Sequence, residues 1–243
     1  MNNVIKQLFA RKSTRVFTNK SISNEDKNLI IEAAAMAPTA GNQQLYTIID
    51  ITDDTLKEKL SVSCDNQPFI SKAKLVLIFC ADCRKWYKAF ENANCTPRKP
   101  EVGDLMLAVT DTAIAAQNAV TAAHSLGIGS CYIGDIMENY ELHKEMLNLP
   151  DYVFPAVMIV FGYPTKQQIL REKPQRIETK YLVHTNSYND FDADELKDML
   201  NYKAGNNTYD NWISAFCNRK YNCEFSIEMS RSVKKYIDQY IND

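Results

Sequence analysis

The longest regular pattern in the chain is an almost uninterrupted apolar helix, predicted over residues 104–126. Alanine or threonine recurs at positions 108, 112, 115, 116, 119 and 123, and larger apolar residues fill most of the remaining positions. A helix that is apolar nearly all round is buried in a core and does not face solvent on one side. The glycine-rich residues 127–134 follow, and glycine tolerates positive φ and close approach of a ligand or backbone. We therefore predict a central core helix that ends in a functional corner.

Four apolar runs predict β-strands. Residues 46–52 show β-branched alternation, residues 74–80 form a continuous apolar run typical of a strand covered on both faces, and residues 130–133 and 155–163 complete the set. Helices are predicted over residues 2–10, from a Ser23 N-cap to Pro38, and over 54–62 and 140–147. Residues 84–103 contain Trp86, Tyr87 and Phe90 and predict a mobile aromatic excursion, which is a candidate lid.

The pattern of apolar and polar residues changes after residue 166. An extended stretch with few periodic apolar residues runs to 188, and polar helices are predicted near 193–201, 210–216 and 226–241. We expect one α/β-type domain with a core of residues 1–165 and an arm of residues 166–243. The apolar residues of the arm need another surface, most simply a second subunit.

Composition narrows the classes of function. The 243 residues are 45% hydrophobic and 24% charged, with a net charge of −2, which gives no general attraction to nucleic acid or to an acidic membrane. We expect neither as a partner. No apolar run reaches the roughly 18 residues of a membrane span, and the first ten residues carry no long apolar segment, so we expect a cytoplasmic protein. Seven irregularly spaced cysteines indicate reduced thiols.

A cluster of cations near the N-terminus is the first candidate site. Arg11, Lys12 and Arg15 surround Ser13, and arginine forks match phosphate oxygens while lysine adds charge. Taken alone, the cluster favours a solvated charged loop, and a phosphate site is the alternative. The same two interpretations apply to a second cationic pair in the extended stretch, formed by residues 173 and 176.

Other chemistry is poorly supported. The glycines after the central helix do not form G-x-G-x-x-G, and no Walker sequence occurs. Cys80 and Cys83 form a C-x-x-C, but a second pair of metal ligands is missing, so packed thiols are favoured over a zinc or redox site. His124 lies on the predicted core helix, which favours a hydrogen-bonded core histidine over a catalytic base. No G-x-S-x-G motif occurs and no histidine has an evident nucleophile partner, so a hydrolytic triad is poorly supported.

Taken together, these stretches resemble the FMN-dependent nitroreductase family. The matching segments are residues 11–17 (RKSTRVF), 37–42 (APTAGN), the Gln67 loop, 111–113 (DTA) with 116–119 (AQNA), 127–129 (GIG), 132–134 (YIG), 161–164 (FGYP) and 173–176 (KPQR). Residues 183–188 and 205–207, with Trp212, are similar to the branch of the major oxygen-insensitive NADPH nitroreductases and flavin reductases.

The resemblance implies an α+β fold of three α-β-α layers in a domain-entangled homodimer. Residues 1–165 would form the FMN-binding core, and residues 166–243 would contribute to the dimer and to the cofactor site. It also implies an enzyme that transfers hydride by a ping-pong mechanism from NAD(P)H through FMN to nitroaromatics, quinones or flavins. The alternative is a non-enzymatic homodimer that stores or senses FMN.

The resemblance also assigns residues to the cofactor. It implies phosphate contacts from Arg11, Lys12, Ser13 and Arg15, further contacts near the phosphate or ring edge from Lys173 and Arg176, ring contacts from Thr39, Ala40, Asn42 and Gln67, and backbone beside the ring at Tyr132, Ile133, Gly134 and Asp135. Lys203 is the one cation left near the expected NAD(P)H site. No catalytic side chain and no metal is implied, because FMN carries the hydride. Asp135 and Met137 depart from the branch, which has glycine and arginine there.

Overall fold

A computed structural model describes residues 1–241 of the chain. The chain forms two compact units, one built from residues 1–171 together with the described residues from 229 onward, and one from residues 172–228. The helices are α1 (Asn3–Ala10), α2 (Asn24–Ala35), α3 (Asp54–Ser63), α4 (Arg84–Asn92), α5 (Val102–Ser125), α6 (Tyr140–Met146), α7 (Lys166–Leu170), α8 (Ala193–Leu200), α9 (Tyr209–Lys220) and α10 (Glu224–Ile237).

An antiparallel sheet forms the middle of the first unit. Its strands are β1 (Tyr46–Asp50), β2 (Leu75–Asp82), β3 (Gly129–Ile133) and β4 (Val153–Gly162), in the spatial order β1-β2-β4-β3. Each neighbouring pair is antiparallel, with a bulge in β2 between Phe79 and Cys80. The four predicted strands are confirmed, with ends shifted by up to two residues.

The sheet is covered on both faces, because the pleat sends alternate side chains of β2 to opposite sides. Leu75, Leu77 and Phe79 face a core built with α2 and α5, whereas Val76 and Ile78 face a core built with α3. Every residue of β2 is buried, which agrees with its continuous apolar sequence. The three α-β-α layers of the α+β prediction are therefore confirmed.

Side chains cap several helices where the sequence changes from turn to apolar pattern. Ser23 Oγ accepts a hydrogen bond of 3.0 Å from the Asp26 amide and begins α2. Asp104 accepts from the Glu101 amide at 2.8 Å in a capping box that begins α5, and Arg98 donates to both Asp104 carboxylate oxygens at 2.6 and 3.0 Å. These caps satisfy helix N–H groups that otherwise lack partners.

In the single chain the central helix α5 is buried on one side only, so the predicted burial of its other side stays a prediction. Its small residues face the core, but Met106 and Leu107 are 50% and 52% exposed in the single chain. Thr110, Ala113 and Ile114 extend this exposed stripe with helical spacing. Packing within one chain therefore does not account for the apolar residues on this exposed face of α5.

Residues 84–103 contain a regular helix that the sequence did not predict, while their role as a mobile lid stays a prediction. Trp86, Tyr87 and Phe90 recur at the spacing of one helical face and lie on α4. The Trp86 indole N–H donates to the Gln43 carbonyl oxygen at 2.7 Å. A cavity of about 390 Å³ lies beside this contact and is lined by residues that include Leu45, Trp86, Phe90, Arg98 and Leu107. Helix α4 is thus one wall of a cavity.

The second unit contains the polar helices α8 and α9, which confirms two of the three helices predicted in this part of the chain. Asp192 caps α8 in a capping box with Glu195. On α9, the Trp212 and Phe216 ring centroids are 5.3 Å apart.

The third predicted helix is α10, whose later residues belong to the first unit. Tyr236 is buried there and packs edge-on against Phe154, with ring centroids 5.1 Å apart. The last two residues of the predicted arm, 242 and 243, lie outside the described residues. Within residues 1–241, no helix combines the length and the apolar character that crossing a bilayer requires.

Candidate functional site

The cationic segment of residues 11–17 crosses the ends of β3 and β4. The Thr14 amide donates to the Ser130 carbonyl oxygen at 2.8 Å, and the Thr18 amide donates to the Tyr163 carbonyl oxygen at 2.8 Å. Ser13 and Ser130 form a parallel β-bridge. The sheet therefore fixes the backbone of the segment and the directions of its charged side chains.

Two glycines that are direct partners in the β3–β4 register allow this crossing. A Cβ atom at Gly129 would lie 2.4 Å from Thr14 Oγ1, and one at Gly162 would lie 2.7 Å from the Phe17 ring. Real Cβ contacts are much longer, so these positions admit only glycine while the segment stays in place. The predicted glycine corner thus serves the close approach of another segment of the chain.

Lys12 anchors the segment to the end of α7. Its Nζ donates to the Ile169 carbonyl oxygen at 2.8 Å and also to the Arg171 carbonyl oxygen. Lysine suits this place because carbonyl groups at a helix C-terminus lack helical partners. The Arg171 guanidinium in turn donates to the Ser13 carbonyl oxygen at 2.6 Å. The sequence analysis did not single out Arg171. The available signal was its positive charge directly after the end of a helix, where cations are favourable.

Arg11, Ser13 and Arg15 converge on the Cys131 thiol of β3. Burial raises the pKa of this thiol, while the Arg15 and Arg11 charges and hydrogen bonds from Ser13 and Arg15 oppose the rise. Arg11 Nη1 is buried and has no hydrogen-bond partner among the described residues. The Arg15 guanidinium lies 5.9 Å from the Phe69 ring centroid. The site is electropositive and holds a donor that no group of residues 1–241 satisfies.

The turn after β3 meets the Gln67 loop. Tyr132 donates its hydroxyl to Gln117 Oε1 at 3.1 Å, and burial raises the pKa of the Tyr132 hydroxyl to about 12. Ile133 is buried, and Gly134 begins a short 3₁₀ turn, Gly134–Met137, that carries Asp135. Gln67 Nε2 donates to Asp135 Oδ1 at 3.0 Å. The structure therefore places the Gln67 side chain against Asp135, a contact that the sequence did not predict.

The loop of residues 39–45 lies at the opposite edge of the sheet, because it leads into β1. A buried carboxylate on α5 holds it: Asp111, 3% exposed, accepts from the Ala40 amide at 3.0 Å and from the Leu45 amide at 3.3 Å. Thr39 Oγ1 accepts from the Gln44 amide at 3.2 Å. Asn42 Oδ1 accepts from Gln44 Nε2 at 2.6 Å. Three strand spacings, about 14 Å, separate this edge from β3.

Asp111 is a positioning residue that sequence reasoning did not single out. The signal was present, because an aspartate within an apolar helix is buried only when its oxygens have partners. Here the partners are the two loop amides, Ala40 and Leu45. Because both carboxylate oxygens are used, the residue fixes both ends of the loop.

Three predicted cations lie in the second unit. Lys173 and Arg176 are exposed in the segment that opens the unit. Lys203 is also exposed, and its Nζ lies 5.8 Å from the Tyr202 ring centroid. Their predicted contacts with FMN and NAD(P)H stay predictions.

The C-x-x-C pair does not form a thiol site. Cys80 packs in the α3-side core, while Cys83 packs in a different cluster with Leu45 and Tyr240. Burial raises the pKa of each thiol to about 12, so neither forms the thiolate that nucleophilic or metal chemistry needs. Within residues 1–241, no three potential ligands are grouped for a metal ion.

Comparison with known proteins decides the family. A sequence profile of the Nitroreductase family matches residues 8–163. The chain belongs to the nitroreductase family. The resemblance predicted from the motifs is therefore confirmed, and with it the fold and the classification as an oxidoreductase.

Relatives of this nitroreductase match nearly its whole length. The FMN reductase (NADPH) of Bacillus subtilis strain 168 is 30% identical over 249 residues, covering 100% of this chain and 96% of the relative. The oxygen-insensitive NADPH nitroreductase of Salmonella typhimurium strain LT2 is 32% identical over 219 residues, covering 87% and 88%. A solved nitroreductase structure from B. subtilis has a TM-score of 0.84 at 27% identity and covers 96% of this chain and 98% of that one.

Proposed function

We propose that this nitroreductase binds FMN and reduces small acceptors, nitroaromatics, quinones or flavins, with NAD(P)H. The observation that carries the proposal is the buried Arg11 Nη1, which lies in a cluster with Ser13 and Arg15 and has no hydrogen-bond partner in the described part of the chain. An unpaired buried donor costs about 1–3 kcal/mol, and a phosphate oxygen restores the missing bond with charge assistance. The names of the relatives, FMN reductase (NADPH) and oxygen-insensitive NADPH nitroreductase, support the same cofactor and reductant.

The residues of the first unit divide the work of holding FMN. Arg11, Lys12, Ser13 and Arg15 would bind its phosphate, and Lys12 also keeps the segment in place through α7. Gln67 and the backbone of residues 132–135 would bind the ring. FMN, when bound, supplies a ring that accepts hydride from a nicotinamide and passes it to an acceptor. We assign no side chain to proton transfer.

The remaining contacts of the proposal involve a second copy of the chain. Thr39, Ala40 and Asn42 would line the ring from the partner subunit, because in one chain they lie at the far edge of the sheet. Lys173 and Arg176 would lie near the phosphate or ring edge, and Lys203 near NAD(P)H. Since NAD(P)H is a cytoplasmic reductant, we also propose a cytoplasmic location.

Exposed apolar surface supports a homodimer. Besides the stripe on α5, helix α1 exposes Val4, Leu8 and Phe9, the last at 63%. Helices α1 and α5 contact each other, so these residues lie on neighbouring elements. Large exposed apolar patches mark interaction surfaces, and identical copies most often pair with twofold symmetry. Residues 166–243 would add to this dimer, in keeping with the entangled arrangement that the sequence predicted.

The test of the enzyme proposal uses the purified full chain. We expect FMN to bind tightly enough to colour the protein yellow, anaerobic NADPH or NADH to bleach the colour, and a nitrofuran to restore it. A yellow protein that neither bleaches nor reduces a nitrofuran would support FMN storage or sensing, for which the relatives give no support. A chain that binds no FMN would refute both proposals.

The dimer is tested separately by light scattering after size-exclusion chromatography. Ile114→Glu places a charge in the exposed stripe of α5, so it is expected to yield monomers with weakened FMN binding. Val62→Glu is the matched control, because Val62 is exposed on α3 in the opposite layer. A wild-type chain that elutes as a monomer at micromolar concentration would contradict the proposal.

A further inference from the structure

We propose that Asp135 is a positioning residue that fixes the Gln67 amide as a hydrogen-bond acceptor and favours oxidised over reduced FMN. The inference rests on the proposed function and concerns a residue at which this chain departs from its branch. The contact between Asp135 and Gln67 carries it.

The orientation of the Gln67 amide follows from its partners. Nε2 donates at 2.9 Å to the Cys64 carbonyl oxygen and at 3.0 Å to Asp135 Oδ1. Both partners accept only, so a flipped amide would place Oε1 against two oxygen atoms. Both Nε2 hydrogens are therefore used, and Oε1 is left as the group that a ligand can meet.

The backbone on both sides of the contact is also held. The Gln67 backbone N–H donates to the Ser61 carbonyl oxygen at 2.8 Å, and the Ile70 backbone N–H donates to the Gln67 backbone carbonyl oxygen at 3.0 Å. Across the contact, the Glu138 amide donates to the Asp135 carbonyl oxygen at 3.1 Å. The side-chain bond thus joins two fixed turns, and the amide cannot rotate without losing two hydrogen bonds.

An acceptor at this place selects for a donor on the ring. Oxidised isoalloxazine carries one ring N–H, the imide N3–H, which complements Gln67 Oε1. Glycine at position 135 would leave one Nε2 hydrogen unsatisfied and the amide freer to turn. Asp135 therefore makes Gln67 a hydrogen-bond acceptor that is specific for the imide N3–H of the ring.

The carboxylate has a second, electrostatic effect. Asp135 is half-buried, so solvent screens its charge less than at the surface. Reduction adds electrons to the ring, and a nearby negative charge disfavours the anionic reduced form. The cations of the site, Arg11 and Arg15, are retained when only residue 135 is changed, so a substitution there isolates the contribution of this carboxylate.

The first experiment compares the affinities of the full chain for oxidised FMN and for FMN reduced with dithionite, measured anaerobically. Asp135→Asn keeps the shape and removes the charge, so it is expected to lower the ratio of reduced to oxidised dissociation constants about tenfold. For a two-electron couple this equals a rise of about 30 mV in the FMN potential. Asp151→Asn, which removes an exposed carboxylate paired with Lys144, is the matched control and leaves the ratio unchanged.

The second experiment measures binding of 3-methyl-FMN, which lacks the imide N–H. Wild type is expected to bind it at least tenfold more weakly than FMN, and the penalty should shrink several-fold in Asp135→Gly and in Gln67→Leu. Circular dichroism checks that each variant folds, and Asp135→Gly replaces Asp135→Asn in the first experiment if the latter does not.

The two experiments separate the inference from the proposed function. A wild-type chain that binds no FMN refutes the function. If wild type binds FMN but the ratio and the methyl penalty are the same in every variant, the function stands and the role of Asp135 is overturned.

Discussion

Replacing Gly129 with alanine tests whether the glycine corner positions the phosphate-binding segment. The added Cβ would lie 2.4, 2.8 and 2.9 Å from three side-chain atoms of Thr14, whereas ordinary contact begins at 3.4 Å. Thr14 must therefore move by about 1 Å, the difference between 3.4 and 2.4 Å. Because Thr14 is buried and its amide bonds to Ser130, the movement disturbs the segment that carries Arg11, Ser13 and Arg15.

The magnitude follows from the opposing effects. Overpacking a filled site costs about 1–3 kcal/mol, and replacing glycine restricts the unfolded chain, which returns about 0.4–1 kcal/mol. A net destabilisation of about 1–2 kcal/mol lowers the Tm of a chain of this size by roughly 2–8 °C. Since Arg11, Ser13 and Arg15 lie on the same short segment as Thr14 and would move with it, we also expect FMN to bind about tenfold more weakly, a loss of about 1.4 kcal/mol.

Thermal unfolding of the apoprotein and FMN titration by fluorescence measure the two effects. Gly103→Ala is the control, because a Cβ there meets nothing within 4 Å and alanine favours its helix. In a Thr14→Gly background, Gly129→Ala should cost less, which a double-mutant cycle shows. If Gly129→Ala keeps the wild-type Tm and FMN affinity, the close approach does not position the segment.

Three further predictions concern single residues. Arg11→Ala should weaken FMN binding by about 1.5–3 kcal/mol, yet leave the apoprotein as stable or more stable because an unpaired buried group is removed. Unchanged affinity in an FMN titration would show that Arg11 does not bind the phosphate. Asp111→Ala should cost about 2–5 kcal/mol in urea unfolding, because the half-buried Ala40 amide and the buried Leu45 amide lose their acceptor; a loss below about 0.5 kcal/mol would contradict this. Burial, only partly offset by hydrogen bonds to backbone carbonyls, lowers the pKa of His143 below its usual 6.5, so the unfolded chain takes up the proton first and stability should fall as pH drops below 6.5 until the folded protein titrates too. Urea unfolding at pH 7.5 and 5.5 measures this, and a His143→Asn chain with an equally steep fall would refute it.

Local patterns determined the secondary structure well where one physical signal dominated. The continuous apolar run of β2 and the Ser23 cap of α2 needed only neighbouring residues, so the sequence located them. Helix α4 is absent from the sequence prediction, because a lid is the favoured interpretation of its aromatic residues, although their spacing is helical. The stripe on α5 could not be seen from composition, since an apolar face looks the same whether the chain or a second copy covers it.

The sequence by itself determined the layers of the fold, the family and the residue types of the candidate site. Apolar periodicity and ordered motifs are properties of neighbouring positions, and they survive without coordinates. Only the tertiary structure decided which residues meet: Thr14 on Gly129, Asp111 on the loop of residues 39–45, and Asp135 on Gln67. These contacts join segments up to 115 positions apart in the numbering. Their geometry depends on strand order and register, which pairwise packing of the whole chain sets and no local pattern encodes.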